Sequence, residues 1–441
     1  MNALEKKYNF FSLIKFTIPT IVMMIFMSLY TMVDGVFVSV LINENALSSI
    51  NLVYPAQSII IAVAIMLATG SSAIIASLLG ESKFKEAKEK FSFIVIVALV
   101  LGIIFAVLGI KYIDEIIALV GATKSTKQYC IEYLQIILLA SPLAVLQMLF
   151  QFLFVTAGKP KMGLYTTIIG GILNIILDYL FIKVFNLGIR GASIATSIGY
   201  SIPAITGLIY FTVNRKGILY FVKPKIDFKM LMSSCFNGSS EMITNLAGSV
   251  TVFLFNMIML KYIGIDGVAA ITIVMYGQYI SNSLFMGYSS GVAPLISYNY
   301  GHKRHKELRK LNKYSLIFIT CSSLFIFVIS ILLAGTITGF FVDRSKEVYE
   351  ITKNGFILFS ISYLITGLNI YISALFTALS NGLISGLISF LRTFLNLIVC
   401  LIFLPMLIGD NGIWLSVPLA ELLTVVVSII LLMKYKNNYN L

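Results

Sequence analysis

The chain has 441 residues, of which 59% are hydrophobic and 12% charged; its mean hydropathy is +0.95 and its formal net charge +13. Soluble domains carry roughly 25% charged residues, so this composition excludes a soluble globular protein and defines an all-α polytopic membrane protein. The basic excess needs no nucleic-acid partner, because loop placement and attraction to anionic membrane lipid account for it.

Apolar runs long enough to cross about 30 Å of hydrocarbon fall at 11–38, 47–78, 91–112, 130–155, 163–185, 191–212, 236–260, 268–298, 314–336, 353–378, 383–406 and 412–433. They predict twelve transmembrane helices. Pro19 and Asp34 interrupt the first run and no small-residue cleavage site follows it, so it reads as a span and not a signal peptide. An even number of spans puts both termini on one side. The loops on that side carry 22 Lys and Arg and those on the other side 9, with Arg392 inside a span. By the positive-inside rule both termini are cytoplasmic.

Along the first span, Pro19 removes a backbone hydrogen bond and predicts a bending point. Tyr30 follows, one turn before Asp34. In the fourth span Gln147 and Gln151 form an i,i+4 polar pair. The fifth contains "GGILNIILDYLF", in which Asn174 and Asp178 share one helical face with Gly170 and Gly171 a turn earlier. Thr196 lies in the sixth, within "GASIATSIGY". An ionised carboxylate at bilayer depth costs several kcal/mol unless water, a proton, a cation or a partner relieves it. Asp34 and Asp178 are the acidic residues deep in the first half, and with Tyr30, Asn174 and Thr196 they suggest one cluster. The alternative for each is a helix-to-helix hydrogen bond.

The stretch 211–229, rich in basic residues, reads as a cytoplasmic linker, which divides the chain into 1–222, a linker end at 223–229, and 230–441. Beyond it lie Glu241 and Asn256 in the seventh span, Gln278 and Asn282 in the eighth, Arg392 in the eleventh and Glu421 in the twelfth. Arg392 is expected to pair with Glu241 or Glu421 as a structural ion pair. Gln147, Gln151, Asn256, Gln278 and Asn282 are candidates for the lining of a substrate cavity. The glycine pairs Gly287/Gly291 and Gly382/Gly386 mark close helix approach.

The second half repeats the first. "ATGSSAIIASLLGESKFKEAK" (68–88) lies over "SSGVAPLISYNYGHKRHKELR" (289–309) without a gap, pairing Gly70 with Gly291, Gly80 with Gly301, Lys85 with Lys306 and Glu86 with Glu307. The same offset of 221 pairs Thr156–Ala157 with Thr377–Ala378, Gly188 with Gly409 and Gly191 with Gly412. Six spans per half give both halves the same orientation, as parallel repeats around a central cavity. The acidic pair is not repeated: Asn256 stands opposite Asp34, and Val399 or Cys400 opposite Asp178.

With these features the sequence resembles the multidrug and toxic compound extrusion family over essentially its whole length. It is most similar to the branch that keeps its carboxylates in the N-terminal lobe. That branch has a proline in the first helix, an Asp fifteen residues later, an Asn and Asp four apart in the fifth helix, and a Thr eighteen residues further on. Pro19, Asp34, Asn174, Asp178 and Thr196 meet these spacings. The resemblance implies an inner-membrane antiporter, monomeric, in which these residues form a site exchanging H⁺ or Na⁺ for amphipathic, cationic drugs. It implies no cofactor beyond the coupling ion. A lipid-linked oligosaccharide flippase of the same superfamily is the alternative, although a pyrophosphate headgroup calls for more embedded basic residues than Arg392 alone.

A membrane enzyme is not expected. The four cysteines stand singly without CxxC spacing, and both histidines, His302 and His305, fall in one basic loop. No HExxH, GxSxG or phosphate-binding loop is present.

Overall fold

The computed structural model describes residues 3–441, apart from the side chains of Val36 and Glu44. Sixteen α-helices follow one another: α1 (Phe10–Leu41), α2 (Glu44–Gly80), α3 (Phe84–Lys111), α4 (Ile113–Leu119), α5 (Lys127–Leu139), α6 (Ser141–Thr156), α7 (Pro160–Asp178), α8 (Ile189–Val213), α9 (Phe228–Tyr262), α10 (Ile265–Gly301), α11 (His305–Phe341), α12 (Glu347–Ser360), α13 (Tyr363–Ala378), α14 (Gly382–Phe390), α15 (Asn396–Ile408) and α16 (Asp410–Tyr439). Short π-helical segments extend α7 (Tyr179–Val184) and join α14 to α15 (Leu391–Leu395).

Among the described residues, ten spans are continuous by length and hydropathy, and two more are bent pairs: α5 with α6 at 55° and α12 with α13 at 46°. The twelve predicted spans are therefore present, and two that read as unbroken apolar runs are broken. Hydropathy registers only that a segment suits hydrocarbon, not whether its axis is straight. Several helices also outrun their apolar cores. α11 begins at His305, taking "HKELRK" as a polar first turn ahead of the run at 314–336.

The repeat is visible in the backbone. Gly188 and Gly409 head α8 and α16 at φ +57° and +63°, and Ser82 and Lys303 close α2 and α10 at +60° and +57°. Both pairs are 221 apart. The halves run in the same sense and form two lobes. At the end of the fourth and tenth spans the offset is 222: Lys159 N–H bonds to Phe154 O, and Asn381 N–H to Phe376 O, at 2.8 Å each. Thr156–Ala157 therefore does not stand opposite Thr377–Ala378; the π-helical segments and loops of the next span absorb the difference.

Both termini and the basic loops lie at one end of the bundle. Arg304 donates to the carbonyl of Glu5, and Arg309 to that of Asn440. Between α8 and α9 the chain first packs back on the N-lobe, where Val222 N–H bonds to Ser92 Oγ and the Phe221 ring meets Phe91. Asp227 then caps α9 by accepting from Met230 N–H.

The lobes meet in the halves nearest that basic end. A Cβ on Gly80 would lie 2.1 Å from the carbonyl oxygen of Tyr298, and one on Gly301 2.2 Å from that of Ser77. Since 77 and 298, like 80 and 301, are 221 apart, α2 and α10 cross on the pseudo-twofold axis. His302 Nδ1 bonds to the Gly80 carbonyl oxygen at 2.7 Å, which closes this crossing. Deeper in, α1 and α10 meet where Gly287 faces the backbone of Ile21, and α2 and α9 where Gly238 faces Met66. Towards the opposite end the lobes part. There Tyr54 and Tyr279 stand near one another while remaining 47% and 42% exposed.

Candidate functional site

Within the N-lobe α7 packs between α1 and α8 through its two glycines. A Cβ on Gly170 would lie 2.7 Å from the Gly199 carbonyl oxygen, and one on Gly171 2.5 Å from the Phe26 ring. Any side chain there would force the helices apart. This close approach sets Asn174 and Asp178, one and two turns further on, against the neighbouring helices. It leaves a cavity of ≈ 10 Å³ lined by Tyr30, Gln147, Asn174, Thr196, Tyr200 and Pro203, among others.

Asp34 and Asp178 are neighbours within electrostatic reach of each other's carboxyl groups. Asn174 donates from Nδ2 to Thr196 Oγ1 at 3.5 Å, a long bond. Tyr133 on α5 reaches Thr196 and lies near both carboxyl groups. Tyr200 lies near Asp34 and Tyr30, and its hydroxyl accepts from Gln57 Nε2 at 2.9 Å. Tyr133 and Tyr200 escape a reading of the sequence, where a tyrosine in an apolar run is indistinguishable from packing.

Among the described residues no basic side chain pairs with the cluster, although one proton shared between Asp34 and Asp178 would bridge the two carboxyl groups. Among the described residues, Asp34 Oδ1, both carboxylate oxygens of Asp178 and Asn174 Oδ1 are buried without a hydrogen-bond partner. The ion pairs found among the described residues lie elsewhere. Buried acceptors of this kind are costly until something positive meets them. The chemistry open to them is uptake of a proton or of a hard cation that takes oxygen ligands. Among the described residues no three His, Cys, Asp or Glu side chains gather as metal ligands.

A second cavity, of ≈ 40 Å³, lies between the lobes, where Thr69 and Ser72 of α2 and Phe152 of α6 face Glu241, Met286, Ser289 and Thr377. Glu241 is the fourteenth residue of α9, which begins at Phe228, ahead of the apolar run. It is therefore well inside the span. It forms no ion pair among the described residues. Arg392 pairs instead with Glu421, Nε to Oε1 at 2.8 Å, inside the C-lobe. Glu241 borders the gap between lobes and stays within electrostatic reach of Arg392, but only Glu421 meets the guanidinium at hydrogen-bonding distance.

Of the polar residues proposed for the substrate cavity, Gln147 lines the N-lobe cavity. Gln151, Asn256, Gln278 and Asn282 line neither of these two cavities. Gln151 is fully buried and donates to Thr167 Oγ1 at 2.9 Å, fastening α6 to α7. Pro19 lies buried inside a continuous α1, between Thr17 and Thr20, which meet α10 at Gly291.

Two parallel six-span lobes that meet at the basic end and part towards the other have the architecture of a membrane transporter. The chain belongs to the MATE family: the MatE family model matches residues 19–180 and again 242–402, once in each lobe. It is similar to the multidrug export protein MepA of Staphylococcus aureus (strain NCTC 8325 / PS 47), with 25% identity over 371 residues and 82% of each chain covered. MepA of Staphylococcus haemolyticus is 26% identical over 376 residues, with the same coverage. The fold is shared with an outward-facing MATE transporter of the MOP superfamily (TM-score 0.91, 19% identity, 100% and 97% of the two chains covered). It is shared also with the Vibrio cholerae MATE transporter VcmN (TM-score 0.89, 18% identity, 97% and 96% covered).

Proposed function

We propose that this protein exports amphipathic, cationic compounds across the cytoplasmic membrane in exchange for H⁺ or Na⁺. In this reading both termini are cytoplasmic and the structure is outward-facing, since the lobes meet at the basic end. The observation that carries the proposal is the pair of buried carboxylates with unpartnered oxygens in the N-lobe. The cation enters from the open side, reaches Asp34 and Asp178, and is held with help from Asn174 and Thr196; Tyr30, Tyr133 and Tyr200 wall the site. Neutralising the acids lets α1 repack, with Pro19 as its bending point, and weakens drug binding. The lobes rock, the cation leaves to the cytoplasm, and fresh drug restores the cycle. Coupling is a difference in drug affinity between cation-loaded and cation-free states. The flippase reading gains nothing from Arg392, which Glu421 already engages.

Proteoliposomes containing the purified protein test this by drug efflux under a pH gradient and a Na⁺ gradient imposed separately. One gradient is expected to drive export and the other not. Export that follows neither, or that persists when Asp34 and Asp178 are both Asn, overturns the proposal.

A further inference from the structure

The residues that line the N-lobe cavity have counterparts in the C-lobe, and the register can be fixed from hydrogen bonds. The α6–α7 bond from Gln151 to Thr167, at 2.9 Å, is matched by Ser373 and Ser389 between α13 and α14, at 3.1 Å. Both members are displaced by 222, the offset already set by the ends of α6 and α13. At that offset Gln147 corresponds to Asn369, Gly170 to Arg392 and Asn174 to Asn396. In the last span of each lobe Gly188 and Gly409 set an offset of 221, so Tyr200 corresponds to Glu421 and Pro203 to Thr424.

These counterparts are bonded to one another. Arg392 Nε donates to Glu421 Oε1 at 2.8 Å, and Asn369 Nδ2 donates to Glu421 Oε2 at 2.7 Å. Ser428 donates to Asn369 Oδ1 at 2.9 Å, and Asn396 Nδ2 to Thr424 Oγ1 at 3.0 Å. The Arg392 and Glu421 side chains are 9% and 5% exposed. Where the N-lobe has Gly170, a void and Tyr200, the C-lobe has a guanidinium and an acid with both oxygens bonded.

We propose that the C-lobe counterpart of the N-lobe void is a cation pocket of its own, built on Glu421 where the N-lobe has Tyr200 and not on the acidic pair, and that the guanidinium of Arg392 occupies it permanently. The pocket takes a monovalent cation against Glu421, whose second carboxylate oxygen Asn369 holds in place, and the chain supplies that cation as a side chain that cannot leave. One lobe therefore exchanges its cation while the other is fixed in the loaded state. This last consequence rests on the N-lobe reading above; the occupancy of the C-lobe pocket does not.

The test is chemical replacement. Arg392→Gly restores the residue of the N-lobe and empties the pocket. In thermal unfolding of the purified protein, this variant should melt several degrees below wild type. Millimolar guanidinium, well under denaturing levels, should raise its midpoint saturably, whereas urea or NaCl at equal concentration should not. Wild type and Arg392→Gly/Glu421→Gln should show no such response. A variant indifferent to guanidinium, or a neutralised double variant that responds equally, overturns the proposal. Should Arg392→Gly fail to fold, Arg392→Met/Glu421→Gln, which removes both charges together, decides the matter: it should fold and retain gradient-driven efflux. Loss of coupling in that folded variant would place the pair in the transport cycle and refute permanent occupancy.

Discussion

The two lobes share helices, bends and register, yet they treat buried charge in opposite ways. In the N-lobe Asp34 and Asp178 approach one another with oxygens left unbonded. In the C-lobe Glu421 holds a guanidinium with one carboxylate oxygen and an amide with the other. A satisfied network is rigid, and an unsatisfied one must exchange with its surroundings. One scaffold duplicated thus yields a stator and a moving part, and the distinction lies in a handful of side chains.

The largest effect is expected from removing the N-lobe charge. Asp34→Asn should bring gradient-driven efflux in vesicles down to the level without protein, with expression unchanged, because shape is kept and titration is lost. Asp178→Asn should follow with some residual coupling, and drug binding should survive in both. Equal loss from Glu421→Gln would erase the contrast between lobes.

Next comes Arg392→Ala. Removing one partner of a buried ion pair costs about 3–5 kcal/mol, so expression and thermal midpoint should fall sharply. The neutralised Arg392→Met/Glu421→Gln should recover most of that loss. A fall of the same size on removing Asp34 would mean that the N-lobe acids are structural too.

The crossing of α2 and α10 belongs to both lobes, and its glycines admit no side chain. Gly80→Val or Gly301→Val should drive the basic ends of the lobes apart. In a background without native cysteines, Ser72→Cys should then react with a thiol reagent added from the cytoplasmic side several times faster than without the valine. An unchanged rate would show that the crossing does not gate that face.

A smaller change is expected at Tyr133 and Tyr200. Their conversion to Phe removes one hydroxyl each, a matter of about 1 kcal/mol, so the concentration of coupling ion giving half-maximal efflux should rise several-fold with stability unchanged. Tyr363→Phe in the C-lobe should leave it where it is.

The smallest effect lies at the join between lobes. The backbone N–H of Met230, with Lys90 nearby, holds the Asp227 carboxyl below the usual carboxylate range. A depressed folded-state value means that its contribution is present above the unfolded value, about 4, and disappears as pH falls through the folded one. Asp227→Ala should therefore cost about 1 kcal/mol as a lost helix cap at neutral pH, and the difference from wild type should vanish in acid. Unfolding measured at both pH values checks this.

The sequence by itself determined the membrane class, twelve spans, two parallel halves and the residues to suspect in the first half. Those properties are local or periodic: hydrocarbon selects runs of apolar residues, a duplicated chain keeps its register, and an acid at bilayer depth stands out because its cost is paid wherever it sits. Tertiary structure decided the rest. It bent α5–α6 and α12–α13, placed Glu241 at the gap between lobes, and chose Glu421 for Arg392. It also drew Tyr133 and Tyr200 to the N-lobe acids. A tyrosine or an arginine in an apolar run looks the same whether it packs, pairs or lines a cavity. What distinguishes those roles is which neighbour reaches its polar atom, and helices distant in the chain supply that neighbour.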